Sequence, residues 1–236
     1  MNGPPDDVDL SRVWISVAAQ VWRRQPGWLE RTAGRLLRSP GLARALLTTP
    51  SLLLPWLLTS IVVLAAGVAV TTSSGQPVVA LLAPALAAVA IAYSYGPGMD
   101  PAWELACSMA VSDRMVLLVR ALAVFAVNAV LGLAASVVSV SGRGGGTAAA
   151  VTVGWLIPMT AVCAFALAVA TVARSASAGA AAGVGAWLIT VLCGQAASGH
   201  FAAAVSDTVL FLPYLAIGAG CAAVAVYATR IPRGTL

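Results

Sequence analysis

Six apolar runs dominate the chain, at about residues 52–72, 77–95, 115–140, 148–172, 178–196 and 208–228. Crossing about 30 Å of hydrocarbon takes about 20 mostly apolar residues in a helix. Each run approaches or exceeds that length, so the spacing predicts six transmembrane helices and an all-α integral membrane fold. The fifth run, AGAAAGVGAWLITVLCGQA, is the weakest because its first half holds only Ala, Gly and Val. Composition agrees: 60% of the 236 residues are hydrophobic and 9% charged, against about 25% charged in an ordinary soluble domain.

The arginines set an orientation. All 13 basic residues are Arg. Arg12, Arg23, Arg24, Arg31, Arg35, Arg38 and Arg44 precede the first run. Arg114 lies between runs two and three, Arg120 just inside the third, Arg174 between four and five, and Arg230 and Arg233 after the sixth. Arg143 alone falls on the other side. Positive residues mark cytoplasmic loops, so both termini are expected in the cytoplasm of a multi-pass plasma-membrane protein. The net charge of +5 then reflects topology and attraction to anionic lipid, and nucleic acid is not an expected partner.

Three regions follow: a cytoplasmic N-terminal region at 1–50, a six-span domain at 51–230 and a cytoplasmic tail at 231–236. Residues 1–50 do not resemble a signal peptide, since their apolar run starts late and many arginines precede it. In LSRVWISVAAQVWRR, helical spacing puts Trp14, Val17, Ala18, Val21 and Trp22 on one face and Arg12, Ser16, Gln20 and Arg23 on the other. After Gln25-Pro26-Gly27, a second short helix gathers Arg31, Arg35 and Arg38 on one side. Basic amphipathic helices with Trp on the apolar face lie in the membrane interface; docking on a cytoplasmic protein is the alternative.

Residues with catalytic chemistry are scarce. Cys107, Cys163, Cys193 and Cys221 stand singly, without the spacing of a zinc site or redox pair. His200 is the lone histidine, in the loop between runs five and six. SGRGGGT at 141–147 lacks the Lys-Ser/Thr ending of a phosphate loop. Neither an enzyme nor a bound cofactor is expected. Within the runs, Asn128 is the central polar residue, and it either lines a pathway or bonds to a neighbouring helix. Gln195 lies near the end of run five and Asp207 introduces run six. GAAAG at 179–183 has the spacing that lets helices approach closely, a weak signal in so Ala-rich a chain.

Against that background one stretch stands out. DPAWELACSMAVSDRMVLLVR, residues 100–120, holds Asp100, Glu104, Asp113, Arg114 and Arg120. Gly96-Pro97-Gly98 ends the second run, Asp100 is placed to cap a helix and Pro101 suits its first position. That helix, over about 101–110, is too short and polar to cross a membrane. Ser112 is placed to cap the third span, with Asp113 in its first turn and Val111 and Val116 at the spacing of a hydrophobic staple.

This stretch resembles the loop between spans two and three of permease subunits of type-2 ABC exporters. Glu104-Leu105 matches the acidic-Leu opening, Val111-Ser112 the turn, and Arg114 and Arg120 the two basic residues; Ala110 stands where the family has Pro. The resemblance implies a coupling helix formed by Asp100, Trp103, Glu104, Leu105, Ser108, Ser112, Arg114 and Arg120. It also implies a second permease subunit, in a homodimer or heterodimer, and an ATP-binding cassette ATPase subunit that binds the ATP and drives export. The competing expectation is a membrane-embedded regulator whose N-terminal region holds a cytoplasmic partner; a membrane enzyme ranks last, for want of acid–base residues.

Overall fold

The computed structural model describes residues 11–12, 15, 31–32, 35, 50–95, 113–141, 148–201 and 203–229. The chain divides into two compact units, Met1–Leu47 and Thr48–Leu236. In the first, the described residues Ser11, Arg12, Ile15, Arg31, Thr32 and Arg35 are helical and exposed. The tryptophans expected on its apolar face, Trp14 and Trp22, lie outside the described residues.

The described residues of the second unit are all-helical. α1 (Pro50–Ser74), α2 (Val78–Tyr93), α3 (Asp113–Ser141), α4 (Ala148–Val172) and α5 (Ala176–Ser198) are followed by a four-residue helix, α6 (Ala203–Ser206), a 3-10 turn (Thr208–Leu210) and α7 (Phe211–Ala228). Each of the six apolar runs therefore contains a helix. Five of these, α1, α3, α4, α5 and α7, are long and apolar enough to cross a membrane.

The second run falls short. α2 has 16 residues, about 24 Å of helix against about 30 Å of hydrocarbon. Pro77 stands at its N-cap and Ser94 at its C-cap, so three residues of the expected 77–95 span are spent on turns. The fifth run, the weakest by composition, forms an unbroken helix of 23 residues.

α4 lies at the centre, packed on α7, α2 and α5 and only sparsely on α3. α2 bridges α4 and α5 on one side and α1 and α3 on the other. The core joins Ala83, Ala87, Ala88 and Ala92 of α2 to Trp155, Met159, Ala166 and Ala170 of α4 and Trp187 of α5. Small side chains at these positions let backbones approach, which is how helices gain contact where lipid and core are equally apolar. Glycine carries the approach furthest in α5. A Cβ at Gly179 would stand 2.6 Å from both the Ala166 carbonyl oxygen and the Ala170 Cβ, and one at Gly183 would stand 2.8 Å from the Ala166 Cβ.

Large apolar side chains face outward instead, among them Leu58, Ile61 and Val62 on α1, Leu188, Ile189 and Leu192 on α5, and Leu212, Leu215 and Ile217 on α7. Monomeric soluble proteins rarely expose so much contiguous apolar surface; it suits lipid.

The turns are built locally. Between α1 and α2, Gly75 adopts a positive φ and the buried Thr71 hydroxyl accepts a bond from the Val79 N–H at 3.3 Å, so α1 caps α2. Between α4 and α5, Arg174 takes φ 52° and the Ser175 hydroxyl accepts from the Ala178 N–H at 3.3 Å. After α5, the Asp207 Oδ1 accepts from the Val209 N–H at 3.0 Å, stabilising the 3-10 turn. Tyr214 then donates its phenol O–H to the Ala204 carbonyl at 3.0 Å, tying α7 to α6.

Candidate functional site

The expected coupling residues Asp100, Trp103, Glu104, Leu105, Ser108 and Ser112 lie outside the described residues. Arg114 falls in the first turn of α3. Arg120 is half-buried, seven residues beyond the start of α3, about 10 Å along the axis. That distance lets a long arginine side chain run back along the helix towards a membrane surface.

The polar groups that the structure does bring together lie further along α3. Asn128, Gly132, Ser136 and Ser139 are all buried, and their spacing of four, four and three residues puts them on one helical face. Asn128 is 4% exposed and donates its Nδ2 to the Val124 carbonyl, one turn back, at 2.8 Å. Its recorded bond is therefore within α3. Opposite this face stands Trp155 of α4, fully buried. The six-membered edge of its indole lies on the bare backbone at Gly132, where a Cβ would approach Cη2 to 2.7 Å.

Two buried polar atoms on these helices have no hydrogen-bond partner, the Ser136 Oγ on α3 and the Trp155 Nε1 on α4. Ser136 is the informative one. A serine in a helix normally satisfies itself on the carbonyl three or four residues back, the local remedy for hydroxyls in an apolar setting. Ser139 takes that route to the Ser136 carbonyl at 2.8 Å, and Thr171 to Ala168 at 2.8 Å. Thr160, Thr190 and Ser198 do the same within their own helices. Ser136 leaves the option unused.

The chain matches no family model, no curated protein and no solved structure.

A contrast lies on the other side of α4. Trp187, 2% exposed, donates its Nε1 to the Leu81 carbonyl of α2 at 2.8 Å. Leu81 follows Ala80, whose carbonyl loses its helical donor because Pro84 has no N–H. One indole thus braces α2 beside its proline, while the other is left without an acceptor. The remaining singled-out residues sit apart from the seam. His200 is exposed, as is Cys193, while Cys163 is buried, and Cys107 lies outside the described residues. Among the described residues no three His, Cys, Asp or Glu side chains gather at a metal-binding distance. Two further buried atoms have no partner, the Gln195 Oε1 near the end of α5 and the Trp56 Nε1 in α1.

Sequence reasoning missed the seam but held its signal. Asn128, Gly132 and Ser136 recur every four residues within one apolar run, the period of a helical face. The GAAAG motif, weak by composition, forms tight contacts through both of its glycines.

Proposed function

We propose that this chain is a multi-pass permease subunit of an ABC exporter in the plasma membrane, with both termini cytoplasmic. Its six apolar helices form the membrane domain, with α2 crossing as a short inner strut because nine of its 16 residues are buried by neighbours. It pairs with a second permease subunit, and a separate ATP-binding cassette subunit supplies the energy. One observation carries the proposal: a chain with 9% charged residues places five of its charges within residues 100–120, directly before and at the start of α3. That pattern suits a cytoplasmic helix pressed by a partner, with Glu104 at the contact and Arg114 and Arg120 anchoring the base of α3.

The test is copurification of the full chain in mild detergent. An ATPase subunit should accompany it, and Glu104→Arg should break that association without lowering the melting temperature of the permease. A homogeneous chain that itself hydrolyses ATP, or a cysteine at Ser112 labelled from outside the cell, would end the proposal.

A second function rests on a different observation, the separate compactness of Met1–Leu47. As a membrane-embedded regulator, the chain would hold a cytoplasmic protein through that unit. Deleting residues 1–47 distinguishes the two, since it removes the regulator's partner and leaves the ATPase on the 100–120 segment.

A further inference from the structure

Orientation does not account for all the charge at the start of this chain. Seven of the 13 arginines fall within residues 12–44, where Glu30 is the only acid, and no other acid follows until Asp100. The positive-inside bias acts within about 15–20 residues of a crossing. Arg12, Arg23 and Arg24 lie further than that from Pro50, where α1 begins. In the compact unit Met1–Leu47, Arg12, Arg31 and Arg35 are helical and exposed. Arg31 and Arg35 are four residues apart, the spacing of neighbours on one helical face, where like charges weaken a helix and an acid at one position would strengthen it. Stability alone therefore does not explain the pair.

Ile15 narrows the partner. It is 70% exposed and follows Arg12 by three residues, the spacing of a shared helical face. An isolated exposed Ile is ordinary. Beside an exposed arginine it matches a surface with anions at its outer level and hydrocarbon beneath. Nucleic acid offers phosphate without that hydrocarbon. The chain also runs from Leu47 into α1 within three residues, and α1 is long and apolar enough to cross a membrane. That connection keeps the unit close to a bilayer, and tethering raises the effective concentration at which a weak site works.

We infer that Met1–Leu47 binds the phosphodiester headgroups of anionic phospholipids through Arg12 and the Arg31–Arg35 pair, with Ile15 reaching below the phosphates. The contact is electrostatic and lies at headgroup level, in contrast to the insertion of a Trp14 and Trp22 face. It rests on neither an ATPase nor a cytoplasmic protein as partner.

The test uses the full chain in nanodiscs, with a ketone-bearing amino acid at Ser11 or Thr32 coupled to a nitroxide so that the native cysteines stay untouched. Accessibility of the label to a neutral, water-soluble nickel chelate is read in phosphatidylcholine alone and with about 30% phosphatidylglycerol, the anionic component that attracts basic segments. Protection at both positions is expected only with phosphatidylglycerol, and it should be lost when NaCl rises from about 0.05 to about 0.5 M. Arg31→Gln with Arg35→Gln should lower the ratio of protected to accessible label about 25-fold, about fivefold for each charge removed. Arg31→Lys with Arg35→Lys keeps the charge and should keep most of the protection, which separates lost binding from lost folding. Equal protection in both lipids, unmoved by salt, identifies apolar insertion and overturns the inference. So does a label that stays accessible in both lipids, a double Gln variant that protects as well as the parent, or protection that appears only when a cytosolic protein fraction is added.

Discussion

Adding one methyl group at Gly183 tests whether close approach at α5 holds the bundle together. A Cβ at this position would stand 2.8 Å from the Ala166 Cβ of α4 and 3.1 Å from the Ala88 Cβ of α2. Carbon atoms prefer separations of about 3.5–4.0 Å, so α5 would have to move away from α4 by roughly 0.7–1.2 Å. Overpacking of this size costs about 1–3 kcal/mol, partly offset by up to about 1 kcal/mol of helix propensity that Ala gains over Gly. Gly183→Ala should therefore destabilise by about 1–2 kcal/mol, a factor of about 5–30 in the folded-to-unfolded ratio. Gly185 is the internal control. It lies in the same helix, and a Cβ there would meet nothing within 4 Å, so Gly185→Ala should be neutral or slightly stabilising. The assay is reversible unfolding in mixed micelles, followed by circular dichroism for all variants in one detergent. Ala166→Gly added to Gly183→Ala moves the methyl from one helix to the other and should recover most of the loss. Equal effects at Gly183 and Gly185, or no recovery in the double variant, would refute the contact as the cause.

Other substitutions follow from the same geometry. Trp187→Phe keeps an aromatic ring but removes the 2.8 Å bond to the Leu81 carbonyl, and should cost about 1–2 kcal/mol in the same unfolding assay; a loss below measurement would mean that the bond does not brace α2. Thr71→Val deletes the hydroxyl that accepts from the Val79 N–H and should lose about 0.5–2 kcal/mol, with Thr71→Ser retaining most of the stability. Arg174→Gly relieves a left-handed residue costing about 1–2 kcal/mol in an L-amino acid, less about 0.5–1 kcal/mol of added chain entropy. A net gain in melting temperature is expected, and a drop would show that the arginine side chain matters more than its backbone strain.

How far the fold was legible depended on what each signal measures. Run length and apolarity located the six apolar helices, five of them long enough to cross a membrane, because one physical requirement, about 20 apolar residues per crossing, writes itself into sequence as an unbroken run. Hydropathy misjudged which run would be least regular. The fifth run scored low because Gly179 and Gly183 contribute little apolarity, yet those residues let it lie against Ala166, Ala170 and Ala88. The second run scored well, but Pro77 and Ser94 trim its helix to 16 residues, which pack among four other helices.

Which face of each helix is buried was not legible, and the reason is general. A helix surrounded by apolar material on every side has no polar stripe to mark the outside, since lipid tails and a protein core present nearly the same solvent to Leu or Val. The information moves into residues too small or too few to register in a hydropathy sum: Gly132 against Trp155, Gly183 against Ala166, and a serine at 136 that could bond its own helix and does not. The charged stretch at 100–120, by contrast, marks itself by composition alone. Ser136 and Trp155 cost the chain two unsatisfied groups within its apolar core. In an apolar chain, then, a charge is the easiest feature to find, while a buried hydroxyl without a partner is visible only once the packing is known.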